Sequence, residues 1–170
     1  DTECISSIRE VWWDIRPHPD FGTVELRMCD ATPTLTEAIA LAGLSQALVA
    51  WTLERIDDGN LPIPPREWTV AENRWMAARH GTEARLIVED PSGGPTLRRP
   101  IQELLPELIE RLAPTAERLG TTDQLDDVLR ILETGSGTAR QRRLLEGGGT
   151  LLDVVHHLAT ELETDAPTRP

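Results

Sequence analysis

The sequence predicts an α+β fold, a short antiparallel hairpin followed by a mainly helical layer, and three observations carry that reading. Residues 11–16 and 23–29 alternate in polarity with period two on either side of a turn-rich connection. Two helical patterns follow, separated by a proline-rich linker. From Ile101 onward apolar residues recur at three- and four-residue steps almost to the end.

In order along the chain, Val11 to Arg16 and Thr23 to Cys29 are the arms of the hairpin, joined by Pro17-His18-Pro19-Asp20-Phe21-Gly22. Thr34 with Glu37 three residues on is a capping-box signature. The helix it opens is apolar on nearly every side until Asp57-Asp58-Gly59, which predicts a central, buried position. Beyond the linker from Leu61 to Pro65, the spacing of Trp68, Ala71, Trp75 and Ala78 predicts a second helix, with Arg79 and His80 in its last turn and Gly81 as its stop. A second small hairpin is predicted from Arg85 to Glu89 and Thr96 to Arg98, around Asp90-Pro91-Ser92-Gly93-Gly94.

Three helical stripes then follow, marked by Leu104, Leu108 and Leu112, by Leu125, Val128 and Leu132, and by Leu151, Val155 and Leu162. Pro106 and Pro114 are expected to bend or divide the first of them. Gly120, Gly135 and Gly147-Gly148-Gly149 punctuate the others, Thr122 and Thr150 stand where N-caps belong, and residues 164–170 read as a disordered tail.

Composition removes several function classes. The chain has 170 residues, the size of one domain, and begins at Asp1 as though cut from a longer protein. Its formal net charge of -12 sets it against nucleic acid and anionic membranes as partners. All 17 basic residues are arginine, so it offers neither a Schiff-base lysine nor the lysine of a phosphate-binding loop. Cys4 and Cys29 form no disulfide framework or zinc pattern, and a reducing cytoplasm is the expected compartment. The richest apolar stretch, Ala38 to Trp51, is broken by Ser45 and Gln46, so no membrane span is expected.

Residues two apart in a strand share a face. With Val11, Trp13 and Ile15 placed against Val24, Leu26 and Met28 on one face, Asp14, Arg16, Glu25 and Arg27 occupy the other. Two carboxylates and two guanidiniums then lie within about 10 Å, at the strand spacing and rise of a β-sheet. Such a patch is either opposite charges paired on a solvent face, each pair contributing well under 1 kcal/mol, or a glutamate ligating a divalent metal beside arginines that hold phosphate. Periodicity leaves both open.

The run from Val11 to Asp30, Val-Trp-Trp-Asp-Ile-Arg-Pro-His-Pro-Asp-Phe-Gly-Thr-Val-Glu-Leu-Arg-Met-Cys-Asp, resembles the signature hairpin of the glutamate-cysteine ligase type 2, or carboxylate-amine ligase, family. Glu72-Asn73-Arg74-Trp75 with Ala77-Ala78-Arg79 and Gly81 resembles the helix that follows in that family, and Gly137 to Arg142, with Gln141, is a weaker third match. The resemblance extends to about His157. It implies a glutamine-synthetase-like architecture, in which the hairpin contributes to a larger antiparallel sheet whose concave face binds ATP and divalent metal, with residues 1–163 forming the C-terminal half of a catalytic domain.

By that similarity Glu25 matches a metal-binding glutamate and Arg27 an arginine contacting the transferred phosphate. Arg16 and His18 match positions lining the same pocket, with Arg16 grouped with Arg27 as catalytic. Asn73 and Arg74 either orient the hairpin or reach substrate, and Asp14 is either a further acidic member or an arginine partner. The implied cofactors are ATP and Mg2+ or Mn2+, and the implied reaction joins a carboxylate, glutamate or a similar one, to a small amine through an acyl phosphate. Full-length members carry a glutamate-rich strand in an N-terminal half, and no Glu-x-Glu strand precedes Asp1. The chain is therefore expected to lack a complete site alone and to have that half as partner, with a homo-oligomer left open.

The other candidates read as structural. His156-His157 point about 100° apart on a helix and do not chelate one ion; His80 complements a helix dipole; Cys29 is a packing residue. The five tryptophans lack accompanying basic charge and are expected in the core. The rival to a ligase is a non-catalytic helical interaction module that keeps the hairpin as scaffold.

Overall fold

A computed structural model describes residues 4–61, 63–90, 92 and 94–167, and the chain divides into two units, Asp1–Ala31 and Thr32–Pro170.

In the first unit a 3-10 turn, Ile8–Glu10, is held by Ser6 and Ser7: Ser6 Oγ donates to Glu10 at 2.7 Å and Arg9 N–H to Ser7 Oγ at 3.2 Å. Strands β1 (Ile15–His18) and β2 (Thr23–Leu26) then pair antiparallel, Ile15 opposite Leu26, Arg16 opposite Glu25, Pro17 opposite Val24 and His18 opposite Thr23. The first strand lies later than the alternation predicts, leaving Val11 to Asp14 outside it and taking in Pro17 and His18. The ladder explains why proline is tolerated. Arg27 N–H donates to the Asp14 carbonyl at 2.7 Å. Pairs 14/27, 16/25 and 18/23 are thereby the hydrogen-bonded ones, and Pro17, with no N–H, falls in a pair that exchanges none. The loop closes through Phe21 N–H to the His18 carbonyl, with Gly22 at φ 60°, a left-handed conformation that suits glycine. The apolar row expected to face a core is open over most of its length: Trp13, Ile15, Val24 and Met28 are exposed, Leu26 is half-buried and Val11 alone of the row is buried.

The second unit opens on helix α1 (Leu35–Asp57), capped by Thr34, whose Oγ1 accepts from Glu37 N–H at 3.1 Å. Helix α2 (Glu67–His80) stops at Gly81, φ 55°, and a 3-10 turn leads into strands β3 (Arg85–Val88) and β4 (Leu97–Pro100), paired antiparallel with Ile87 opposite Arg98. Pro91 and Gly93 of the connecting turn, and Pro62 of the linker, lie outside the described residues. Helices α3 (Ile101–Leu119), α4 (Thr122–Thr134), α5 (Gly137–Glu146) and α6 (Leu151–Thr164) complete the unit.

The core gathers Ala40 and Ala47 of α1, Ile109, Leu112 and Ala116 of α3, and Leu125 and Val128 of α4, with Leu44, Leu48 and Trp51 against them. Helices α1 and α4 meet at Gly43, where an added Cβ would stand 2.4 Å from Gln124 Cβ. Gly43→Val is expected to destabilise the chain by about 1–3 kcal/mol through overpacking, outweighing a helix-propensity gain of a few tenths. Urea unfolding followed by circular dichroism measures it, and an unchanged midpoint contradicts this packing.

Several expectations need correction. Helix α1 is not buried all round, since its outward face exposes Leu35, Ile39, Val49, Leu53 and Ile56. Its 23 residues are also long and apolar enough to cross a bilayer, contrary to the reading of a broken stretch, although its other face packs within the unit. Pro106 and Pro114 do not divide α3. Proline is costly in a helix interior, and packing of Ile109, Leu112 and Ala116 into the core shared with α1 and α4 holds the helix in one piece. The N-cap of α4 is Thr121 rather than Thr122, while Thr150 caps α6 in a full capping box with Asp153. Of the tryptophans only Trp51 joins the core; Trp12, Trp13, Trp68 and Trp75 are exposed. Nor does disorder begin at Thr164. That residue ends α6, and the Asp165 carboxylate accepts from Thr36 N–H and Oγ1, each at 2.9 Å, tying the end of α6 to the start of α1. Residues 168–170 lie outside the described residues.

Candidate functional site

The pairing of β1 with β2 sets Arg16 directly opposite Glu25, on the face shared by His18 and Thr23. One oxygen of the Glu25 carboxylate pairs with the Arg16 guanidinium, and the other accepts from Arg27 Nη1 at 2.9 Å. Burial works to raise the Glu25 carboxyl, and the Arg16 and Arg27 guanidiniums outweigh it, holding the group below its ordinary value and ionised at neutral pH. The Arg27 guanidinium also lies over the Trp12 ring, 5.1 Å from its centroid, a cation–π contact that fixes its position. His18 stacks on Phe21 with ring centroids 4.4 Å apart.

Of the expected patch, Arg16, Glu25 and Arg27 come together, with His18 on the same strand face, while Asp14 lies just before β1 and meets Arg27 through its backbone carbonyl. Arg16 and His18 are half-buried although they sit on the polar face. Arg16 Nε and His18 Nδ1 are shielded from solvent and have no hydrogen-bond partner among the described residues. Shielded polar atoms are almost always satisfied in folded proteins, and an ion pair on a solvent face leaves these two unexplained.

As a metal ligand Glu25 supplies one hard, ionised oxygen donor. Among the described residues no three His, Cys, Asp or Glu side chains converge as a metal site. Magnesium characteristically takes one or two carboxylates together with phosphate oxygens and water. Glu25 fits as one donor of such a shared set.

The second signature block serves a different end. Asn73 spans to β3, its Nδ2 donating to the Ile87 carbonyl at 2.8 Å and its Oδ1 accepting from Ile87 N–H at 2.7 Å. The side chain thus acts as one more strand partner and pins α2 to the second hairpin. Thr69 and Arg66 add to the same junction by binding the Glu89 carboxylate. Arg74 is exposed on α2.

Sequence reasoning missed a buried ionic cluster between α1, α5 and α6. Arg140 is 2% exposed, and its guanidinium pairs with Glu37 at 2.9 Å and with Glu161 at 2.7 Å, while Nη1 also donates to the Gly135 carbonyl at 2.5 Å. Burial works against the charged guanidinium, but the Glu37 and Glu161 carboxylates outweigh it and leave the group more firmly protonated than usual. Thr34 Oγ1 donates to Glu37 at 3.1 Å, and His157 Nε2 lies 3.4 Å from Glu161. The partners are too distant in sequence to be paired by spacing. A signal was nonetheless present, because Glu161 and Val154 share one stripe of α6.

The histidines and cysteines occupy simple surroundings. His157 pairs with Glu161 while His156 is exposed, and His80 packs edge-on to Trp75 with centroids 5.9 Å apart. Cys29, expected as a packing residue, is exposed, as is Cys4.

Comparison with known proteins agrees with the signature blocks. Residues 1–157 match the family described as glutamate-cysteine ligase family 2. The chain is 48% identical over 165 residues to the "Putative glutamate--cysteine ligase 2-1" of Frankia casuarinae and 49% identical over the same length to that of Frankia alni, in each case over 96% of this chain and 42% of the relative. It is 46% identical over 163 residues to the "Putative glutamate--cysteine ligase 2" of Thermobifida fusca, over 96% of this chain and 40% of the relative. The chain thus spans about two-fifths of the length of these relatives. Matched over most of its residues, the chain belongs to the glutamate-cysteine ligase family 2.

Proposed function

We propose that this chain supplies the phosphate- and metal-facing hairpin of an ATP-dependent carboxylate-amine ligase and forms one part of that active site. The supporting observation is an ionised Glu25 held between the Arg16 and Arg27 guanidiniums on the strand face that His18 shares. In the reaction an oxygen of the substrate carboxylate, glutamate or a similar acid, attacks the γ-phosphorus of ATP and ADP leaves. The nitrogen of a small amine then attacks the acyl carbon, phosphate departs, the nitrogen releases a proton to water, and an amide bond remains.

Glu25 would hold a Mg2+ or Mn2+ ion, which supplies neutralisation of phosphate charge. Arg27, steadied by Trp12, releases Glu25 and binds oxygens of the transferred phosphoryl group, where charge develops during transfer. Arg16 and His18 orient the same group from the strand face they share with Glu25. In the α2 block Asn73 holds its helix to the second hairpin, and the resemblance of that block supports Arg74 as a substrate contact. The remaining acidic ligands come from the polypeptide that relatives carry outside the matched region, the expected N-terminal half.

Arg27→Lys tests this directly in the complete enzyme. Lysine keeps the charge and loses the fork, so kcat/KM for ATP-dependent amide formation is expected to fall by about 2 kcal/mol of transition-state stabilisation, the size of a charge-assisted hydrogen bond. Wild-type kinetics in that variant would make the arginine a surface ion-pair partner and favour a scaffold hairpin.

A further inference from the structure

Helix α1 carries two apolar faces, and only one is used within the second unit. Ala40, Gly43, Leu44, Ala47, Leu48 and Trp51 face α3 and α4. On the opposite side Leu35, Ile39, Ala42, Val49, Leu53 and Ile56 follow one another in steps of four and three residues, with Gln46 as the single polar member of the series. All are exposed, the five large aliphatic side chains by between 45% and 60%. Steps averaging 3.5 residues keep the row on one narrow stripe of a helix, drifting only about 20° per heptad. The stripe runs the whole length of α1, about 35 Å at 1.5 Å per residue.

A helix that is apolar on both sides is the middle layer of a larger packing unit. We propose that this seam is the docking face for the polypeptide that the curated relatives carry outside the region matched here, and the inference rests on the reading of the chain as one part of a ligase. Two observations favour that occupant. The relatives from Frankia are matched over only 42% of their length, so most of their polypeptide lies outside the region this chain represents. The first unit by itself exposes apolar side chains of its own, Ile15, Val24 and Met28, so each unit presents a face for further polypeptide.

A lipid bilayer suits the seam less well. Glu54 at the C-terminal end of α1 is paired with Arg118, Glu37 at its N-terminal end lies in the Arg140 cluster, and the inward face already packs on helices rich in charge. Gln46, near the middle of the seam, needs a polar partner once covered. A single polar residue at such a position fixes register rather than adding stability.

Carbene footprinting read by mass spectrometry tests the docking. The 170-residue chain is labelled alone, and again in a chimera in which it replaces the matched region of the Frankia casuarinae relative. Labelling of Leu35, Ile39, Leu53 and Ile56 is expected to fall at least tenfold in the monomeric chimera, with the mass fixed by light scattering. Equal labelling in a chimera that forms amide from ATP overturns the inference and leaves the ligase reading intact. Shielding in a chimera without ATP-dependent activity supports the docking and overturns the ligase reading. Shielding confined to dimers makes a second copy the occupant and also overturns the inference. As a measurement independent of the chimera, the chain is mixed with the relative's remaining polypeptide. Ile39→Glu with Leu53→Glu, both on exposed positions, is expected to weaken their association at least 100-fold; unchanged association overturns the docking.

Discussion

Arg140→Ala is expected to lower the stability of the chain by about 3–5 kcal/mol, the cost of breaking a buried ion pair by removing one partner. The loss is large because Arg140 neutralises two carboxylates at once. Glu161 is 0% exposed and Glu37 4%, and both lose their guanidinium donors in the variant. The Gly135 carbonyl at the end of α4 loses its donor as well. Because these groups sit on α1, α5 and α6, the variant is expected to loosen α5 and α6 from α1 before it disturbs the core between α1, α3 and α4. Urea unfolding by circular dichroism measures the total, and hydrogen exchange locates it. A loss below about 1 kcal/mol, within the range of a surface ion pair, would contradict the buried assignment.

Glu25→Gln is expected to reduce metal-dependent ATP turnover in the complete enzyme by about a thousandfold, which corresponds to the several kcal/mol that metal stabilisation of transition-state charge provides. The amide keeps the shape and one oxygen, and loses the charge that a divalent ion requires. Strand pairing is retained, because the Glu25 backbone and not its side chain makes the ladder with Arg16. A steeper dependence on metal concentration should accompany the loss. Unchanged turnover at limiting magnesium would remove Glu25 from the metal site.

How far the chain is legible in its sequence depends on the range of the interaction. Local chemistry reads well: Thr34 and Thr150 cap their helices, Gly81 and Gly120 end theirs, and the polar face of the first hairpin forms with Arg16 opposite Glu25. Strand limits read less well, because alternation alone does not place Pro17 in a pair that exchanges no hydrogen bonds. Burial reads worst. An apolar helix looks central whether or not its second face is covered, and four tryptophans expected in the core are exposed. The Arg140 cluster needs helices 21 and 103 residues apart to converge, which no spacing rule anticipates. At the candidate site, Arg16, His18, Glu25 and Arg27 were legible because one hairpin carries all four. Asn73 was legible as a polar residue with a task, and its partner was not, since Ile87 offers only backbone.

The central claim is that the hairpin works as one part of a ligase site completed by further polypeptide. The most direct measurement is amide formation from ATP, glutamate and a panel of small amines, read by mass spectrometry of the products, for the 170-residue chain alone and for the chimera with the Frankia casuarinae relative. The account predicts no amide from the chain alone and ATP-dependent amide from the chimera, abolished by Glu25→Gln. Amide formed by the chain alone, in a sample that mass spectrometry shows to hold no other polypeptide, would contradict it.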